Sequence, residues 1–228
     1  MKKKSIILLF ALFTFAASLA FEAASTPSTV ALFLVIKNRV EKKQTDQGWK
    51  DAKKGEIIYG GDMVRTQKQS FALIKFTDAS TLRMGPDAEV QIYGENLPKS
   101  ANVTSGDVGF TMQKRENNPF EFTTPTSVAS IRGTQGLLVV DLNGSDFLTI
   151  LEGLVRFSNK ISNDTVDVGA GQTGVSSGNG QISVHTSTQA DLDRLAQLNN
   201  QFGQKHELKM QFRGSDGQMH EIIIDTQK

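Results

Sequence analysis

Alternation of apolar and polar residues with a period of two is the feature that most constrains this chain. Ala72, Ile74 and Phe76 fall on one side of an extended segment; Leu82 and Met84 share one side of the next, with Thr81 and Arg83 opposite. Ala88, Val90 and Ile92 alternate with Glu89 and Gln91, and Val108, Phe110 and Met112 with Gly109 and Thr111. Phe120 and Phe122 flank Glu121, Val155 and Phe157 flank Arg156, and Val166 and Val168 flank Asp167. Successive side chains of a strand point to opposite faces, so each run offers one face to a core and one to water. A helix would scatter the same residues around its circumference.

Turn signals separate the runs. Gly60-Gly61, Gly85-Pro86, Asn117-Asn118-Pro119 and Gly169–Gly180 are breakers. Asn143-Gly144, between Leu137–Leu142 and Phe147–Leu151, predicts a type I′ hairpin with positive φ at both central residues. Short strands at this spacing predict a mainly β fold, a multi-stranded sandwich or roll. Gly61-Asp62-Met63-Val64, Gly106-Asp107-Val108 and Gly153-Leu154-Val155 each open a strand and recur roughly every 45 residues. That rhythm makes a β-solenoid-like stack the alternative architecture.

One helix is expected. Ser187-Thr188 can cap it, with Asp191 as the capping-box acid. Leu192, Leu195 and Ala196 share a face, and the helix should end near Asn199-Asn200. Two strands follow, carrying Leu208, Met210 and Phe212 and then His220, Ile222 and Ile224, joined by Gly214-Ser215-Asp216-Gly217.

The N-terminus reads as a secretory signal peptide. Lys2–Lys4 precede an apolar run from Ile6 to Ala17, and Ser18-Leu19-Ala20 suits cleavage after Ala20. The run is slightly short for a membrane span, so no stable span is expected after processing. The domain organisation is therefore a signal peptide at 1–20, a flexible leader at 21–29, a β-domain at 30–185, and a helix-plus-hairpin appendage at 186–228. Periplasmic, secreted or outer-surface placement follows.

Cysteine is absent. Disulfides, Cys-ligated zinc, thiol nucleophiles and lipoprotein anchoring are excluded with it. Without Met1–Ala20 the chain holds 22 basic and 24 acidic residues, a balance that does not fit a nucleic-acid binder.

The catalytic motifs fail on context. Gly174-Val175-Ser176-Ser177-Gly178 matches a nucleophile elbow, but a Gly/Ser loop and the strand Gln181–Val184 surround it instead of a strand–turn–helix. Gly169-Ala170-Gly171-Gln172-Thr173-Gly174 matches a dinucleotide fingerprint, yet no helix follows to face a pyrophosphate. Asp141, Asn143, Ser145 and Glu152 have EF-hand spacing, but Asp146 replaces the obligatory glycine. Incidental calcium at Asp141, Asn143 and Asp146 is the residual possibility. His185, His206 and His220 are too scattered for a zinc site. No catalytic, cofactor-binding or metal residue is assigned, and the chain is not expected to be an enzyme.

Gly61-Asp62-Met63-Val64-Arg65-Thr66 is followed by Ser70–Phe76 and then Asp78-Ala79-Ser80-Thr81-Leu82-Arg83-Met84-Gly85-Pro86. Further on come Gly106–Phe110, Phe120-Glu121-Phe122-Thr123-Thr124-Pro125-Thr126, Val128–Thr134, Leu151–Phe157 and Val168–Gln172. From about Ala31 to Gln172 this order resembles the FecR family, whose opening pattern is G-D-x-V-x-T, an apolar strand, then D-G-S-x-L-R-L. Ala79 stands where the family has glycine; a type I turn at Asp78-Ala79 would spare it the roughly 1 kcal/mol cost of positive φ.

The resemblance implies a bacterial envelope β-domain that works by protein contact. The family's named member passes a periplasmic signal to a cytoplasmic sigma factor. Only Met1–Ser5 precede the apolar run here, so the expectation is the extracytoplasmic module without that arm. Arg65, Arg83 and Arg132 each lie beside a family motif. They are either paired structurally with acids such as Asp62, Asp78 and Glu152, or form a recognition surface. The expected role is a non-catalytic interaction or scaffold module contacting another envelope protein or an envelope polymer. Its alternatives are a membrane-anchored signalling component and an envelope polysaccharide hydrolase, the latter needing two facing carboxylates.

Overall fold

The computed structural model describes residues 28–94, 99–114, 118–202, 207–213 and 219–225, with side chains described as far as residue 202. The predicted signal peptide, all but the end of the leader, the turn at Gly214–Gly217 and the side chains of His206 and His220 lie outside the described residues.

The first strands are Thr29–Lys37 (β1), Val40–Lys43 (β2), Lys50–Asp51 (β3), Ile57–Tyr59 (β4) and Met63–Thr66 (β5). Phe71–Phe76 (β6), Thr81–Met84 (β7), Glu89–Tyr93 (β8) and Ser100–Thr111 (β9) follow. Then come Phe120–Thr123 (β10), Ser127–Ile131 (β11), Gln135–Asp141 (β12), Ser145–Glu152 (β13) and Leu154–Asn159 (β14). Thr165–Gly169 (β15), Gln172–Ser177 (β16) and Ile182–Thr186 (β17) complete the body. Helix α1 spans Gln189–Asn200, and Glu207–Arg213 (β18) pairs with Met219–Asp225 (β19) as a separate two-stranded sheet.

The strands form two layers, and the sheet is open, not closed into a barrel. The helix-side layer runs β4-β1-β6-β7-β9-β12-β13-β16-β17 and is antiparallel throughout. The open layer runs β3-β2-β5-β8-β9-β10-β11-β14-β15, with one parallel pairing, β9 to β10. Strand β9 belongs to both. Its Ser100–Ser105 half pairs with β8, and its Gly106–Thr111 half pairs with β7 and β12.

The 45-residue rhythm marks corners between these layers. Gly61 stands between β4 and β5, Gly106 at the crossing inside β9, and Gly153 between β13 and β14. All three have left-handed φ, at 91°, 87° and 96°. At Gly106 a Cβ would lie 2.5 Å from Ala88 Cα, so only glycine fits. The recurring glycines therefore belong to a two-layer sandwich.

The alternating residues meet between the layers. Phe33, Ile74, Leu82 and Phe110 from the helix-side layer and Val64, Val90, Phe122 and Phe157 from the open layer are fully buried. Phe110 and Phe122 approach to 5.2 Å between ring centroids, and Phe76 and Phe120 to 5.4 Å. Each such ring contributes about 1.5–3 kcal/mol by leaving water.

The helix-side layer is buried on its outer face too. Leu34, Leu73, Leu137 and Val139 form a second apolar cluster with Leu195, Leu198 and Phe202. This explains the unbroken apolar run Leu137–Val140: a strand covered on both sides need not alternate. Helix α1 has the predicted Thr188 capping box with Asp191, but buries Leu195 and Leu198 rather than Leu192, Leu195 and Ala196. Ala196 is exposed.

Two turns differ from expectation. In the β12–β13 hairpin only Gly144 of the three loop residues has positive φ, and its N–H donates to the Asp141 carbonyl. The loop is thus a three-residue turn closed by glycine, not a type I′ pair on Asn143-Gly144. In the β6–β7 hairpin Ala79 takes φ of 68°, and its N–H donates to the Phe76 carbonyl, centring the turn on Thr77-Asp78. The turn at Asp78-Ala79 that would have spared the alanine positive φ is therefore not the one formed.

Candidate interaction surface

The three arginines do not form one stripe. Arg65 points outward from the open layer, where Glu41 faces it across the β2–β5 ladder. Its Nε donates to Glu41 Oε2 at 2.8 Å, and its guanidinium lies 4.1 Å from the centre of the Trp49 ring. Gln67 and Arg39 also donate to Glu41, which is buried. The Arg65 hydrogen bond, aided by Gln67 and Arg39, holds the Glu41 carboxyl below its usual range although burial opposes this. Arg65 is accordingly paired with Glu41 and not with Asp62.

Asp62 serves another cation. Buried Lys42 lies 2.7 Å from Glu56 and 3.6 Å from Asp62, and it donates to the Ile57 carbonyl. Asp62 Oδ2 accepts the Tyr59 N–H. Burial pushes the Asp62 carboxyl up, against the influence of that N–H and of Lys42. Asp78, the second expected acid, lies 3.9 Å from Lys99 and also accepts the Ser80 N–H within its own turn.

Arg132 is exposed in the β11–β12 connection. That connection lies against the β13–β14 corner: a Cβ on Gly153 would sit 2.7 Å from Thr134 Oγ1. Leu151 and Leu154, 48% and 58% exposed, flank the same corner. Among the described residues no carboxylate pairs with Arg132, so the expected Glu152 partner is absent. An arginine beside two exposed leucines is a composition suited to contact with a protein.

Arg83 points outward from the helix-side layer, on the opposite side of the molecule from Arg65. Its Nη1 donates to Thr111 Oγ1 at 3.0 Å, and burial pulls its guanidinium below the usual arginine range. No Asp or Glu pairs with it among the described residues.

The motifs weighed for chemistry are engaged in the framework. Ser176 is fully buried and accepts from Asn159 Nδ2 at 2.8 Å. His185 is exposed, with Nδ1 2.8 Å from the Thr186 carbonyl. Gly169–Gly174 spans the β15–β16 hairpin. Asp146 is buried and accepts hydroxyl bonds from Thr124, Thr126 and Ser127, tying β13 to the β10–β11 turn of the other layer. Asp141 instead accepts the Asn143 N–H of its own loop. The two carboxylates thus serve different structures. The Phe120–Thr126 motif gains its physical reason here, since its threonines supply two of the three hydroxyls around Asp146.

The attachment of α1 lay beyond sequence reasoning. Arg194 donates to both carboxylate oxygens of Asp107, at 2.7 and 2.6 Å. That hydrogen bond is the largest influence raising the Arg194 guanidinium, against burial. At the helix start, Thr173 Oγ1 lies 3.1 Å from Thr149 Oγ1 and 2.9 Å from Ser187 Oγ. Burial would raise Asp191, but hydrogen bonds from Thr188 and Thr173 outweigh it and hold the carboxyl low. A cleft of about 190 Å³ opens beside the Arg194–Asp107 pair, lined by Phe71, Gly85, Pro86 and Gln201 among others. No helix among the described residues is long and apolar enough to cross a membrane.

Residues 62–156 match the model of the FecR protein family. Two crystal structures of a candidate anti-sigma factor from Parabacteroides distasonis share the fold, each with a TM-score of 0.52 and 10% identity. Each match covers 59% of this chain and 64% of the solved one, so the chain spans less than two thirds of that structure's length. No curated protein matches the chain.

Proposed function

Since residues 62–156 carry a FecR domain, we propose that the protein is an extracytoplasmic component of envelope signalling or regulation that acts by protein contact and not by catalysis. The family match is the observation that carries this reading. The solved anti-sigma factor candidate shares the sandwich and adds weight to a regulatory role. The polar clusters point the same way. Glu41, Asp62, Asp146 and Ser176, the groups most reminiscent of acid–base or nucleophilic chemistry, are buried and hydrogen-bonded within the framework. Export by the Met1–Ala20 segment completes the proposal and places the β-domain beyond the inner membrane.

The experiment is crosslinking of the full chain in native envelopes, with sequencing of its mature N-terminus. The expected result is a discrete crosslinked protein and a start at or near Phe21. Recovery of monomer alone across growth conditions overturns the contact reading. An intact N-terminus replaces the released protein with an anchored one.

A further inference from the structure

Thr81, Arg83 and Thr111 gather on the outer face of the helix-side layer. Thr81 stands directly opposite Thr111 across the β7–β9 ladder, and Arg83 lies two residues along the same face. Arg83 is flanked in its own row by Leu73 and Gly109. Helix α1 closes one side: a Cβ on Gly109 would lie 3.1 Å from Leu198 Cδ2 and 3.6 Å from Arg83 Cβ. The glycine leaves a trough in which the arginine stem lies between the helix and the strand.

Two observations mark this trough as incomplete. The guanidinium has five N–H donors, and among the described residues one is engaged, on Thr111. The Thr81 hydroxyl is buried and has no hydrogen-bond partner. Thr111 Oγ1 accepts from Arg83, so its own proton remains to be donated. Three groups that can give hydrogen bonds therefore meet at one place, beside the apolar walls of Leu73 and Leu137. A half-buried cation without an anion has lost part of its hydration, and a carboxylate arriving in the planar geometry of the fork satisfies donors and charge together.

We infer that Arg83, with the hydroxyls of Thr81 and Thr111, is a receiving site for a carboxylate side chain of a protein partner. The inference rests on the protein-contact reading above. Arg83 has Leu73 beside it in its row and Lys75, Thr81, Thr111 and Gln135 in the next row of the same face. An arginine set against apolar and polar neighbours in this way has the form of an interface hot spot, where a few contacts carry most of the affinity. Of the three arginines at family motifs, it is the one that is half-buried and, among the described residues, without an acid.

The test uses the full-length protein, selectively labelled at arginine side chains. Sodium acetate, sodium phosphate and sodium chloride are titrated at fixed ionic strength while the Arg83 Nε–H resonance is followed. The expected result is a saturable shift with acetate, a weaker one with phosphate and none with chloride. In Arg83→Met the response disappears while the thermal midpoint stays level or rises. A response equal for all three salts, a stronger response to phosphate, or no response overturns the inference. So does Arg83→Met unfolding several degrees lower, because that outcome assigns the arginine to the framework. Crosslinking failure in native envelopes, with the acetate response intact, would instead remove the protein-contact reading and leave the anion site standing.

Discussion

Arg194 of α1 and Asp107 of β9 form a two-pronged pair in which each carboxylate oxygen takes its own N–H. Asp107 follows Gly106, the residue at which β9 passes from one layer to the other. The helix is thereby tied to the crossing point, and the Thr188–Asp191 box and Phe202 against Phe71 hold its two ends. The Arg194 side chain is half exposed, which limits the energy of the pair. Arg194→Ala should cost about 1 kcal/mol in urea unfolding and raise amide exchange across α1. A double-mutant cycle with Asp107→Ala should return most of that loss as coupling. Independent, additive effects would show that the apolar face alone seats the helix.

Ala79 occupies the left-handed region that its hairpin requires. A Cβ there costs about 1–2 kcal/mol, while glycine loses roughly 0.5–1 kcal/mol more on ordering. Ala79→Gly should therefore stabilise the protein by about 0.5–1 kcal/mol. The expected sign is a higher urea midpoint at unchanged slope. A lower midpoint would mean that the turn prefers alanine for a reason other than φ.

Gly106 and Gly144 separate conformational strain from steric exclusion. Their φ values are 87° and 84°. A Cβ on Gly144 meets nothing within 4 Å, whereas one on Gly106 reaches 2.5 Å from Ala88 Cα. Gly144→Ala should cost about 1–2 kcal/mol, the conformational component alone. Gly106→Ala should cost more than about 3 kcal/mol, because β9 must move away from Ala88, just before β8, to admit the methyl group. Equal losses at the two sites would refute the layer-crossing argument.

Glu41 and Asp62 should give opposite pH signatures. Glu41 has a lowered folded pKa, so its contribution is present above the ordinary glutamate range and is lost as pH falls through the folded value. Asp62 has a raised folded pKa; folding favours its protonated form below the ordinary aspartate range, and that gain is lost as pH rises through the folded value. Glu41→Gln should destabilise at neutral pH and converge with the parent protein in acid. Asp62→Asn should flatten the decline in stability between acid and neutral pH. Parallel pH curves for parent and variants, measured by thermal unfolding, would contradict both assignments.

Much of the fold was legible because period two reports directly on strand faces. Ala72, Ile74 and Phe76, and Phe120 with Phe122, were placed on core faces from alternation alone. The Thr188 capping box was equally readable, being a local contact three residues long. What alternation could not reveal was the second covered face. Leu73 and Phe71 look like solvent positions beside Ile74, and only the packing of α1 shows otherwise. Of the expected helix face Leu195 is buried but Ala196 is exposed, and Leu198, which packs over Gly109, was missed for the same reason. At the candidate surface, the sequence did not show what the three arginines contact. Glu41 is 24 residues from Arg65 in sequence, and no local pattern connects them. The isolation of Arg83 became visible only with β9 and α1 in place.

Strand β9 has consequences for how the chain can be divided. Among the described strands, it alone pairs with both the β1–β8 half and the β10–β17 half of the body, through β7 and β8 on one side and β10 and β12 on the other. The family-matched segment begins one residue before β5 and ends inside β14. Excised there, it would keep this keystone but strip β1 from β6, β16 from β13 and β15 from β14. Raw strand edges of that kind invite self-association. The recognisable signature is thus smaller than the smallest autonomous folding unit, and expression of the former alone should give aggregates where the whole body gives a soluble particle.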